Sequence, residues 1–158
     1  LDWQCVKRKT VQNVNQITCK ICNYGDPYYL RALAVRDEVL RKPLGLSFSF
    51  QDLEQEAEHC FLVALDGSKV VGSSQWFKTT DEVIRVKQVA VLFEYQSIGV
   101  GRLMNDFTQR WCENNGVKTI ELHARKVAFG FYSRLGFDFV GDEFLEVNIP
   151  HKKMMKKI

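Results

Sequence analysis

Seven consecutive residues, Gln96-Ser97-Ile98-Gly99-Val100-Gly101-Arg102, combine two glycines with an amide, a hydroxyl and a guanidinium. Gly99 and Gly101 remove side chains where the pattern turns from strand to helix. Several backbone N–H groups can therefore point together at an anion, helped by the positive end of the helix dipole. The chemistry this spacing suggests is phosphate binding. Two stronger phosphate signatures do not fit. Gly101 is followed by Arg102 and Leu103 where a P-loop needs Gly-Lys-Ser or Gly-Lys-Thr, and Met104 stands where a dinucleotide fingerprint needs a third small residue.

The elements that position this loop read clearly. The apolar run Val89-Ala90-Val91-Leu92-Phe93 precedes it, and Leu103, Met104, Phe107 and Trp111 follow at helical spacing, which predicts strand, loop and helix. The segment resembles the acyl-CoA loop of the GNAT acetyltransferase superfamily, whose pattern of Gln or Arg, two residues, Gly, one residue, Gly or Ala is met by Gln96, Gly99 and Gly101. Phe93-Glu94-Tyr95-Gln96 occupies the place where that family usually has Pro-Glu-Tyr-Gln. A second stretch, Ala128, two residues, Phe131-Tyr132, two residues, Leu135-Gly136-Phe137, resembles the family phrase in which the Tyr stands beside the cofactor sulfur. Taken alone, a Tyr in such a helix is more often half-buried packing. On a helical wheel Ala128, Phe131 and Leu135 share a core face, while Arg125, Phe129 and Tyr132 share the adjacent one. Arg125 departs from the Asn the family often carries three residues before that Ala. Phe144-Leu145-Glu146 and Ile149-Pro150-His151 with Met154 resemble the ElaA-like branch, and the resemblance covers about Ile17 to Met155.

That resemblance implies an α/β fold, the acyl-CoA N-acyltransferase fold, with a mixed, mostly antiparallel sheet flanked by helices and a splayed central strand pair. It implies acetyl-CoA as cosubstrate, an amine as acceptor, and no metal. Pantetheine would pair with Val89, Ala90 and Val91, the pyrophosphate would rest on Gln96, Ser97, Ile98, Gly99, Val100, Gly101 and Arg102, and Arg125, Phe129 and Tyr132 would complete the cofactor site. Tyr132 is the expected acid for the departing thiolate, because a phenol with a reference pKa of about 10 suits that proton transfer. For the base, His59, His123, His151, Glu56, Glu121 and a water chain stay open. A non-catalytic acyl-CoA-binding module and an acyltransferase with a longer acyl donor are the competing readings.

In chain order, residues 1–16 read as an atypical leader and Ile17 to Cys22 as a first strand. Asp26-Pro27 caps a helix with Leu30, Leu33, Ala34, Val39 and Leu40 inward and Arg31, Arg36, Asp37, Glu38 and Arg41 outward, stopped by Pro43 and Gly45. Ser49 with Asp52 gives a capping-box start to a second helix over Phe50 to Glu58. His59 to Leu65, the Asp66-Gly67 turn, Lys69 to Phe77 and Val83 to Phe93 predict an antiparallel meander. Lys118 to His123 should return parallel to Val86 to Phe93 after the helix ending at Gly116.

Length bounds the rest: 158 residues fit a single domain. No apolar run approaches the roughly 20 residues of a membrane span. Leu1 to Lys20 mixes Asp2, Lys7, Arg8 and Lys9 without an apolar core, so a cytoplasmic protein is expected, as monomer or homodimer. The net charge of +3 is mild and weighted to Lys152, Lys153, Lys156 and Lys157, which read as a solvated end and disfavour nucleic acid. Cys19 and Cys22 form a CxxC without a second pair, and with Cys5, Cys60 and Cys112 they read as reduced, packing thiols. Asp52, Glu56 and Glu58, near one side of the second helix, lead to the expectation of a cationic small-molecule or peptide amine.

Overall fold

The computed structural model describes residues 13–158; most of the expected leader, with Cys5, lies outside the described residues. Seven strands form one sheet in the order β1-β2-β3-β4-β5-β7-β6. They are β1 (Ile17–Cys22), β2 (Cys60–Asp66), β3 (Lys69–Thr80), β4 (Val83–Val91), β5 (Thr119–Arg125), β6 (Asp138–Glu146) and β7 (Ile149–Lys157). Every neighbouring pair is antiparallel except β4 with β5, so the mixed sheet expected from the sequence is present.

Helix α1 (Pro27–Arg36) starts as its sequence dictates, with the Asp26 carboxylate accepting from the Tyr29 N–H at 2.9 Å and Pro27 at the first turn. It continues as a wider turn over Asp37–Arg41 and closes at Gly45, which takes φ 67°. Tyr29, Ala32, Val35 and Arg36 are buried, and of the expected stripe Leu33, Val39 and Leu40 pack half-buried against the core while Leu30 and Ala34 are exposed. Leu30 and Ala34 follow the 3.6-residue period equally well; packing against the sheet selected the neighbouring stripe.

The buried Arg36 is the largest departure on this helix. It was expected outside, yet it is 1% exposed and donates through both terminal nitrogens to Glu56, at 2.9 and 3.0 Å. Glu56 lies in the turns after α2 (Phe50–Glu54), a helix shorter than the expected Phe50 to Glu58. Its capping box is as expected: the Asp52 N–H donates to Ser49 Oγ, and the Ser49 N–H donates to the Asp52 carboxylate, both at 3.1 Å. Bidentate pairing lets two charges be buried together, and it fixes the end of α1 to the chain following α2.

α1 and α3 (Val100–Asn114) cover opposite faces of the sheet. On β2, Phe61 meets the Tyr29 ring edge-on at 4.9 Å, whereas Ala64, three residues on, faces the same space as the Met104 thioether. Gly72, opposite Ala64, admits that thioether: a Cβ there would stand 2.8 Å from Met104 Sδ. Side chains alternate along strands, so each strand position is assigned to the α1 face or the α3 face.

The C-terminal lysines are not a free end. β7 lies between β5 and β6, where the Lys153 ammonium meets Glu121 at 3.0 Å, Lys156 donates to Gln109 at 2.9 Å, and Lys152 covers the Phe139 ring. Their long stems line the strand while the charged heads find partners. Cys19 and Cys22 sit an odd number of residues apart on β1, so they point to opposite faces, and burial pushes both thiols up to about 11. That geometry fits packing and not a redox couple.

Glu56→Ala should cost about 3 to 5 kcal/mol, because it strands a buried guanidinium. Joint replacement, Arg36→Met with Glu56→Leu, should recover most of that loss. Urea denaturation of the three variants reads both effects.

Candidate active site

β4 and β5 pair in parallel only from Val83 to Val86 and from Thr119 to Leu122. Beyond that point the strands part. The cause lies in β4: between Ser73 and Gln75 of β3 the register slips, with one extra residue on β4, and Gln88 takes the left-handed φ of 55°. A bulge of this kind bends its strand. Val89 to Val91 therefore keep β3 on one side and expose an unpaired backbone edge on the other.

The gap opens into a cleft of about 730 Å³. Its walls include Val89, Ala90 and Val91, the loop residues Gln96, Ser97, Gly99, Val100, Gly101 and Arg102, and Arg125 and Tyr132. Two sequence-expected residues stand elsewhere. Ile98 is half-buried against the hydrophobic core, and Phe129 packs edge-on against Phe139 of β6 at 5.0 Å. The helical wheel that grouped Phe129 with Arg125 fails because β5 runs through Arg125, a short 3₁₀ turn covers Lys126–Ala128, and α4 spans only Phe129–Arg134.

Local hydrogen bonds hold the loop in shape. Tyr95 donates its hydroxyl to Asp66 at 2.6 Å, and the Gln96 side-chain amide donates to the Val91 carbonyl at 2.9 Å, tying the loop back to β4. Ser97 and Gly99 both adopt positive φ, 65° and 103°. Gly99 is the N-cap of α3 and supplies no side-chain cap, so the first N–H groups of the helix face outward unpartnered by side chains. Gly101 has a second reason to be small: a Cβ there would meet the Phe131 ring at 2.9 Å. The glycine thus lets α4 dock against the start of α3.

Tyr132 sits at the floor of the cleft, 9% exposed, with the Phe131 and Phe137 rings 5.0 and 5.5 Å from its own. Burial alone raises its phenol above the ordinary tyrosine range, so it holds its proton at neutral pH. It shares the α3 face with Ile120, Leu122 and Met104, which border one narrow space.

On β5 the alternate residues Glu121, His123 and Arg125 point to the α1 face. Of the five candidate bases, Glu56 is held by Arg36, and Glu121 is held by Arg85 at 2.9 Å and Lys153 at 3.0 Å. Burial opposes ionisation of Glu121, but hydrogen bonds from Lys153 and Arg85 outweigh it and keep the carboxyl below its usual range. His59 stacks on Phe77 at 4.8 Å, hydrogen bonds Gln75, and is held by burial below the usual imidazole range. It does not line the cleft. His123 and His151 do, and the structure brings them to one carboxylate: Glu146 stands 3.2 Å from His123 Nδ1 and 3.6 Å from His151 Nε2. His151 Nδ1 lies 2.7 Å from the Ile149 carbonyl, which fixes the proton on that nitrogen. No spacing in the sequence joins His123 to Glu146, because the β6–β7 hairpin, turned by Val147 and Asn148 at φ 48° and 58°, makes the meeting.

The family model described as Acetyltransferase (GNAT) domain matches residues 38–158. The chain belongs to the GNAT acetyltransferase family. Among relatives, the uncharacterized N-acetyltransferase YjcF of Bacillus subtilis is 32% identical over 128 residues, which cover 79% of this chain and 89% of that protein. Among solved structures, Escherichia coli ElaA matches with a TM-score of 0.74 at 19% identity, covering 89% of this chain and 99% of its own. A GNAT acetyltransferase from Elizabethkingia anophelis with acetyl-CoA bound matches with a TM-score of 0.68 at 17% identity, covering 91% and 99%. The parted strands, the open helix start and the flanking helices of this GNAT domain make an acyl-CoA N-acyltransferase fold, and the family's activity is acyl transfer from an acyl-CoA.

Gly101→Ala should cost about 1 to 3 kcal/mol through overpacking against Phe131. Phe131→Leu in the same chain should relieve part of that cost, giving a positive coupling in a thermal-denaturation double-mutant cycle.

Proposed function

We propose that this enzyme transfers an acetyl group from acetyl-CoA to a primary amine of a small molecule or peptide by direct attack. The observation that carries the reading is the two-sided gap. Tyr132 closes it from the α3 face, and His123, backed by Glu146 outside the cleft wall, lines it from the α1 face. The free edge of Val89 to Val91 suits the amide-rich pantetheine arm, and the N–H groups of the Ser97 to Arg102 turn suit the pyrophosphate. The acetyl-CoA carried by the Elizabethkingia protein supports the same choice of cosubstrate.

Each chain group then has one task. The strand edge and the loop hold the thioester where an amine entering from the α1 face meets it, and such alignment supplies roughly 7 to 11 kcal/mol of the barrier. A β4 backbone N–H at Val89 or Val91 faces the carbonyl oxygen as it gains charge. His123, its Nδ1 directed at Glu146, offers Nε2 to take the proton of the attacking nitrogen. As the C–N bond forms and the C–S bond breaks, Tyr132 gives its hydroxyl proton to the departing sulfur, and solvent restores both groups. The raised phenol pKa keeps the hydroxyl protonated through the pH range in which the amine is free to react, while making it a weaker acid, so the transfer relies on charge building on the sulfur as the C–S bond breaks.

Tyr132→Phe should keep coenzyme A affinity by calorimetry and lose turnover roughly 10²- to 10⁴-fold, read as thiol release from acetyl-CoA in the presence of amines. A full-rate Phe variant, with chemistry rate-limiting, would remove Tyr132 from the mechanism. Coenzyme A binding without thiol release across amines and peptides would favour the non-catalytic reading.

A further inference from the structure

We infer that the acceptor amine carries an oxyanion, a carboxylate or a phosphate, and that Arg125 binds it. The inference deepens the transferase reading and rests on it. Arg125 is the last residue of β5, half-buried in the cleft wall, and pairs in register with His151 on the side of the sheet that α1 covers. Among the described residues its guanidinium makes no ion pair and no side-chain hydrogen bond. Two other withdrawn arginines have carboxylate partners, Arg36 with Glu56 and Arg85 with Glu121, while Arg41 has only the Phe48 ring. A guanidinium half withdrawn from water without a protein partner is open to a ligand, and its planar fork of donors matches the two oxygens of a carboxylate or the edge of a phosphate.

The surroundings sharpen the point. Among the described residues no Asp or Glu lines the cleft, whereas Arg102, Arg125, Arg134, His123 and His151 do. Arg102 and Arg134 are exposed on α3 and α4, on the cofactor's side of the sheet. Arg125 faces the other side, together with Arg41 at the end of the helix that carries Val39 and Leu40 to the cleft. Arg41 is held over the Phe48 ring at 4.6 Å, and its buried Nε has no partner. Burial and then the Arg41 charge lower the pKa of Arg125, and the Glu146 charge opposes them only in part. The expected cationic acceptor loses one of its supports, since Glu56 is locked to Arg36, and the other two, the helix-capping Asp52 and Glu58, are exposed and do not line the cleft. An amine whose own anion sits on Arg125 has its nitrogen free to approach His123, two residues back on the same face of β5.

The test compares initial rates with β-alanine, 2-aminoethyl phosphate, β-alaninamide, ethanolamine and spermidine. One or both of the anionic amines should exceed the neutral pair in kcat/KM by roughly 10- to 100-fold, the worth of one charge-assisted contact. The better of the two tells carboxylate from phosphate. Arg125→Ala should abolish that preference by raising the acceptor KM and leave the acetyl-CoA KM within about twofold. Arg125→Lys, which keeps the charge without the fork, should recover part of the preference and guards against a misfolded Ala variant. The inference is overturned if spermidine or the neutral amines are the better acceptors, if the preference survives Arg125→Ala, or if acetyl-CoA KM rises in step with acceptor KM. Loss of acetyl-CoA binding in the unsubstituted protein would overturn the transferase reading instead.

Discussion

The structure depends on one failure of strand pairing. β4 and β5 hold together for four residue pairs and then part, because an extra residue enters β4 opposite β3 and Gln88 adopts a backbone conformation that costs a non-glycine residue of order 1 kcal/mol. A continuous sheet would satisfy every N–H and C=O of both strands. It would also leave no passage between the faces. Strain of this size survives only where the surrounding structure over-determines it, and here β3 on one side and the Leu92-to-Val71 hydrogen bond at the end of β4 do so.

Once the strands part, the sheet divides the chemistry. The α3 face carries open helix N–H groups, a small residue at Gly101, and a buried phenol, the groups on which the proposed acyl-CoA site rests. The α1 face carries the histidines and most of the buried charge. On that face the acids are engaged one by one, Glu56 by Arg36, Glu121 by Arg85 and Lys153, and Glu146 by two histidines. Arg125 keeps no carboxylate partner among the described residues, and with Arg102 and Arg134 it gives the cleft a positive character that the chain's net charge of +3 does not locate.

The buried Arg36–Glu56 pair shows how a local element serves the cleft at a distance. It anchors the end of α1 against the turns after α2, so that the widened turn over Asp37–Arg41 presents Val39 and Leu40 to the cleft and Arg41 to Phe48. Without that anchor the segment would be an exposed connection with little to fix it.

The sequence by itself determined the elements whose causes are local. Asp26-Pro27, the Ser49–Asp52 box, the Asp66-Gly67 turn, and the strand, glycine loop and helix around Gly99 all form where residue type and spacing place them. The family phrases then carried the fold. Tertiary structure decided whatever needed two distant segments to meet. It buried Arg36 and removed Glu56 from the acceptor set, turned the lysine-rich end into an interior strand, moved Phe129 onto Phe139, and joined His123 to Glu146. A charged residue on a helix reads as solvated until a partner many residues away makes its burial affordable, and a strand face is not known until its register is. For this reason the glycine loop and the helix start beside the cleft were legible in the chain, and the cluster of charges and histidines on the other face was not.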